Sequence, residues 1–257
     1  MTNNKMTKSQ IPSKLLSWLD VLAITAWGVL LLRYWLTNKL NLLIHPNYFS
    51  LVIVAGIVLL IIGFAKAQEL WRLRPREIVP NSQHITLFAP GWGSGLLLIA
   101  AILGFIISPQ VFASDKALQR GVTDLLSTSR LQPQSFRASV RPEERSLVDW
   151  VRTINVYPEP DSYIGQKAKV QGFVIHPPDV GKEYIFLARF VLTCCAADAY
   201  PVGLPVKLAA NQERYAPDTW LEIEGQMITE TLSGKRQVTI AATSLKKIPQ
   251  PENPYSY

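Results

Sequence analysis

The chain is poor in the residues that carry most enzyme chemistry. It has three histidines and two cysteines in 257 residues, and a single histidine, His176, in its second half. A cysteine nucleophile needs a base within hydrogen-bond reach, and one histidine capping a strand reads first as structural. No HExxH, no phosphate-binding glycine loop and no carboxylate pair at a useful spacing occurs. The expectation is that the protein is not an enzyme. An arginine-rich stripe with interleaved aromatics is also missing, so nucleic acid is not expected as a partner. The two cysteines are adjacent, Cys194 and Cys195. They cannot staple a loop, because consecutive Cα atoms lie about 3.8 Å apart while disulfides usually span about 4.4–6.8 Å.

Charge of one sign is scarce where the chain is most apolar. Residues 1–112 hold 9 Lys+Arg against 3 Asp+Glu, and residues 113–257 hold 17 against 16, so the net charge of +7 divides as +6 and +1. The basic excess therefore flanks apolar runs. Three of these are long enough for a bilayer core of about 30 Å, which takes about 20 helical residues: Leu15–Leu36, Tyr48–Ala65 and Trp92–Ala113. The second and third contain no charge, and Asp20 and Arg33 lie near the ends of the first. No small-x-small cleavage site follows the first run, and its length exceeds a signal-peptide core, so it is expected to stay as an anchor. Lys5, Lys8 and Lys14, together with Lys66, Arg72, Arg74 and Arg76, lie on one side of a three-span chain. By the excess of positive charge that side is the cytoplasm. The expected plan is a tail (1–14), a three-span membrane region in lipid (15–113), a linker (114–142) and an extracytoplasmic domain (143–257).

In the second half, Leu147, Trp150, Val151 and Ile154 follow the spacing of an amphipathic helix. Alternation then predicts strands over Lys167–His176, Tyr184–Thr193, Val202–Leu208, Trp220–Thr231 and Gln237–Leu245. Five short strands suit a small closed barrel of the oligonucleotide/oligosaccharide-binding (OB) type. The fold class is thus α+β, with three transmembrane helices, a short helix and an all-β, OB-like barrel. The barrel names no ligand.

For the cysteine pair three readings stand side by side: a soft ion such as Zn or Cu(I), a vicinal disulfide, or buried packing. Neighbours in an extended strand point to opposite faces. Both sulfurs reach one ion only if the strand ends there, and AADAYPVG supplies a break. Asp198 is the nearest further donor in sequence, with His176 and Arg189 as candidate supporting residues.

Three strings, VQGFVIHPPD (Val170–Asp179), EYIFLARFVLTCCAADAYPVGL (Glu183–Leu204) and WLEIEGQM (Trp220–Met227), resemble the YcgQ-like family of permease subunits. These are bacterial membrane proteins with N-terminal spans and a C-terminal domain of unknown function carrying a CCAAD motif. The resemblance implies a two-component transporter in which this chain is the accessory subunit of a separate multi-span permease of the YraQ/YcgR type. The pattern falls on Gly172, Phe173, Arg189, Phe190, Cys194, Cys195, Ala196, Ala197, Asp198, Pro201, Trp220 and Gly225, with glycines and proline expected in turns and aromatics in the core. Accessory status agrees with the span count, since secondary transporters build their sites from repeats and broken helices. A cell-envelope scaffold with structural cysteines is the alternative.

Overall fold

The computed structural model describes residues 13–72, 92–121, 141–209 and 212–257. His84 and residues 122–140 of the expected linker lie outside them. The chain divides into one compact unit of Met1–Leu40 with Pro46–Pro109 and a second of Asn41–His45 with Gln110–Tyr257.

The first unit contains helices α1 (Ser13–Leu36), α2 (Phe49–Arg72) and α3 (Trp92–Ile106). Two stretches, Leu15–Leu36 and Pro46–Arg72, are long and apolar enough to cross a membrane. Packing against α1 relies on small residues that let backbones approach. A Cβ added at Gly56 would lie 3.0 Å from the Leu32 side chain, and one at Gly104 would lie 2.7 Å from Leu30. Polar side chains fix α1 to α3: Trp27 Nε1 donates to Leu97 O at 2.9 Å and Tyr34 Oη to Gly104 O at 2.6 Å. Asp20 accepts a hydrogen bond from Ser94. Away from these contacts Leu51, Ile61, Phe64, Leu96, Ile99 and Leu103 are exposed.

The third apolar run departs from expectation. It is helical over 15 residues, about 22 Å at 1.5 Å per residue, and stops well before Ala113. Pro109 disfavours helical geometry at the residue before it, so the helix ends ahead of Ser108.

Part of the expected linker is also ordered differently. Ser114–Gln119 forms a short helix, α4, whose Ala117 is fully buried in the second unit. Helix α5 (Leu147–Val156) follows, opened by a capping box. Ser146 Oγ accepts from Asp149 N at 3.2 Å, and the Asp149 carboxylate accepts from Ser146 N at 3.2 Å. All four apolar residues picked out by helical spacing are buried.

Six strands complete this unit: β1 (Lys167–Ile175), β2 (Tyr184–Val191), β3 (Tyr200–Lys207), β4 (Trp220–Leu232), β5 (Lys235–Lys247) and β6 (Tyr255–Ser256). The five expected strands are all present, and β6, parallel to β2, was not anticipated. The sheet order is β1-β4-β5-β3-β2-β6, and β1 also pairs with β2 through Phe173↔Ala188 to Ile175↔Phe186. The pairings therefore return to their starting strand, with β3 and β5 parallel and the other ladders of the circuit antiparallel.

Strand alternation sorts side chains into two cores. Val170, Val174, Ile185, Leu187 and Val191 join one with α5, while Phe173, Ile175, Phe186, Phe190 and Trp220 join the other with Ala117 and Tyr255. Burial on both faces explains why β2 reads as a nearly unbroken apolar run. Gly172 and Gly225 lie inside strands and not in turns. A Cβ at Gly172 would meet the Ala188 carbonyl oxygen at 2.5 Å, and one at Gly225, beside the bulge at Glu224/Gly225, would collide with the Ala241 carbonyl. Close backbone approach, not a turn, requires these glycines.

Candidate functional site

Strand β2 ends at Val191, Leu192 N still donates to Ser256 O, at 2.9 Å, as the last bond of the β2–β6 pairing, and the chain then bends. Cys194 and Cys195 sit in this bend, beyond the strand, so the alternation that would send their side chains apart no longer applies. A 3₁₀ turn at Ala196–Asp198 brings Asp198 back beneath them. Its carboxylate accepts from Cys194 N at 2.8 Å and from Cys195 N at 3.1 Å. The result is a tight loop with the two sulfurs 3.7 Å apart. That exceeds the disulfide bond length of about 2.05 Å, and both cysteines are free. Cys194 is exposed and Cys195 half-buried, so the packing reading loses its premise.

One ligand atom from each of Cys194, Cys195 and Asp198 lies within 4.8 Å of the others. The electrostatics keep the Cys194 thiol of the metal-free protein protonated. The Cys194 thiol is pushed up to about 11, first by its hydrogen bond to Asp198, then by that to Cys195. Burial works against the Asp198 charge, but hydrogen bonds from the Cys194 side chain and from the backbone of Cys194, Cys195 and Thr193 prevail and lower its pKa. A bound cation reverses such logic by favouring the thiolates.

The other expected residues lie elsewhere. His176 follows the last residue of β1, whose partner Phe186 is at the far end of β2. At about 3.3 Å per strand residue the thiols are about 20 Å away, and His176 Nε2 lies 2.8 Å from Tyr215 O. Arg189 is mostly enclosed. It donates to Asn253 O at 3.1 Å, lies over the Trp220 ring at 5.6 Å, and has its pKa lowered by burial. It supports the C-terminal segment beside β2 through Asn253.

Sequence reasoning missed the connection between α1 and α2. Ile44 forms an antiparallel bridge with Cys195, flanked by hydrogen bonds from Ala196 N to Leu43 O at 2.8 Å and from His45 N to Cys194 O at 3.0 Å. The segment Asn41–His45 thus belongs to the thiol-bearing unit, although it lies some 150 residues earlier in the chain. His45, to which the sequence assigned no role, is beside the pair.

A mainly β domain with an exposed vicinal thiol loop, joined to apolar helices of membrane-crossing length, sets the class of protein. Residues 132–257 match the DUF1980 C-terminal domain, and the chain belongs to the YcgQ-like family. A curated relative, UPF0703 protein YcgQ of Bacillus subtilis (strain 168), is 24% identical over 104 residues, which cover 40% of this chain and 36% of that protein. The match therefore spans about a third of the relative's length. No solved structure matches the chain.

Proposed function

We propose that this protein is a membrane-anchored accessory subunit of a two-component permease, whose extracytoplasmic domain presents Cys194, Cys195 and Asp198 to a thiophilic metal ion or substrate. One observation carries the reading. Two sulfurs on a tetrahedral zinc, each at about 2.3 Å, are about 3.8 Å apart, and the Cys194 and Cys195 sulfurs are separated by 3.7 Å. The donor set fits a borderline ion: two sulfurs and one carboxylate within 4.8 Å of one another. The Asp198 carboxylate accepts from the Cys194 thiol, and the lone pair it uses there becomes free for such an ion when that thiol ionises.

Several observations support the wider reading. The strand circuit has five members with a parallel β3–β5 closure, in keeping with a small OB-like barrel. A three-span plan, with α3 as the third crossing, has the α1–α2 connection and the C-terminal domain on the same, extracytoplasmic side. The backbone pairing of Leu43–Ala196 and His45–Cys194 agrees with that placement. The reading assigns the chain no enzymatic activity.

Metal content and free thiols of the purified full-length chain test the proposal. Stoichiometric zinc or copper, lost in Cys194→Ser and in Cys195→Ser, is the expected result. Metal-free protein with unreactive thiols would leave the envelope-scaffold alternative. Copurification with a multi-span membrane protein in mild detergent tests the partner, and repeated absence of one would count against the accessory role.

A further inference from the structure

Resting on the metal reading above, we propose that His45 is the fourth donor of the site, so that Cys194, Cys195, Asp198 and His45 together hold a borderline divalent ion of the Zn(II) class. Three donors leave one position of a tetrahedron open, and the fold has placed an imidazole next to it from a remote part of the chain.

The argument rests on register. Ile44 is bridged to Cys195, and the two hydrogen bonds that flank the bridge are those of an antiparallel pair. One step along, His45 is therefore beside Cys194, its backbone N–H bonded to the Cys194 carbonyl at 3.0 Å. Donors on one zinc are about 3.5–4 Å apart, given bonds of about 2.0–2.3 Å. Ligation needs the His45 ring to turn about its side-chain bonds toward the thiols, since the donors that lie within 4.8 Å of one another are those of Cys194, Cys195 and Asp198. The ring packs edge-on against Tyr257, with centroids 4.7 Å apart. Tyr257 Oη is itself 3.5 Å from Asn41 O and 3.0 Å from Asn253 Oδ1. The aromatic contact keeps the connection seated over the thiol loop.

The donor chemistry selects the ion. Imidazole and carboxylate beside two thiolates suit Zn(II), whereas an all-sulfur environment would favour Cu(I). His176 is too distant to serve, whereas the backbone of His45 is paired with that of Cys194.

Zn(II) affinity of the full-length chain, measured by chelator competition, and the absorption spectrum of its Co(II) form decide the matter. In His45→Ala and His45→Phe, affinity is expected to fall tenfold or more. The ligand-field bands should shift while the thiolate-to-cobalt band persists. The Phe variant keeps a ring against Tyr257, so recovery of wild-type affinity in it, but not in the Ala variant, would assign His45 to packing and overturn the proposal. Unchanged affinity and spectrum in both variants would also overturn it, with the thiol site intact. A wild-type chain that takes up neither metal would instead defeat the metal reading itself.

Discussion

Asp198 acts on the thiol loop in two opposing ways. Its carboxylate ties the Cys194 and Cys195 amides into a bend, and the same negative group makes a thiolate at Cys194 unfavourable. In metal-free protein the alkylation rate at Cys194 is expected to climb with pH toward about 11, where the thiolate forms, and not to level off near the usual value of about 8.5. Asp198→Asn should bring the inflection down and speed alkylation at pH 8. A wild-type rate already flat by pH 9 would contradict this. Metal affinity should fall steeply on acidification, since each ligand must lose its proton. At this scale the sequence singled out Cys194, Cys195 and Asp198, which the structure brings together, but could not say that both sulfurs face one point. That depends on the turn after Val191, in which the Asp198 carboxylate gathers the Cys194 and Cys195 amides.

Among elements, the glycines in strands carry a sharp prediction. Gly225→Ala places a methyl group against the Ala241 carbonyl in the β4–β5 ladder, and overpacking of this kind costs about 1–3 kcal/mol. Thermal unfolding of the full-length chain should show a lower midpoint for Gly225→Ala, and for Gly172→Ala, while the far-UV spectrum of the folded state is kept. An unchanged midpoint in both would mean that the strands accommodate a Cβ by moving apart. Helix α5 offers a milder case. Ser146→Ala removes the acceptor for Asp149 N, a loss of about 1 kcal/mol, and Ser146→Asp should restore most of it in the same melt. The periodicity that announced α5 and the five strands was local and survived folding. The early stop of α3 was legible in Pro109, whereas β6 is only two residues long and has no pattern of its own. It exists because β2 has an edge to pair with.

On the scale of the whole molecule, the apolar helices and the β unit make separate demands. The first has two helices long and apolar enough to cross a membrane, on which large apolar side chains such as Leu51 and Phe64 are 66% and 63% exposed. The second has its own two cores. The proposed sidedness can be checked on a chain whose native cysteines are replaced and in which a single cysteine stands at Ser127 or at Gln68. A membrane-impermeant reagent applied to intact cells should label the Ser127 position alone. Labelling only at Gln68 would put the thiol site in the cytoplasm, where glutathione replaces disulfide chemistry as the competitor for metal.

The sequence by itself determined the apolar runs, the strands and the identity of the thiol pair, because hydrophobic length and period are properties of neighbouring residues. Only the tertiary structure decided how the strands close upon one another, that His176 and Arg189 lie apart from the thiols, and that His45 lies beside them. Those outcomes depend on backbone pairing between segments far apart in the chain, as between Ile44 and Cys195, and no local pattern in either segment encodes its partner.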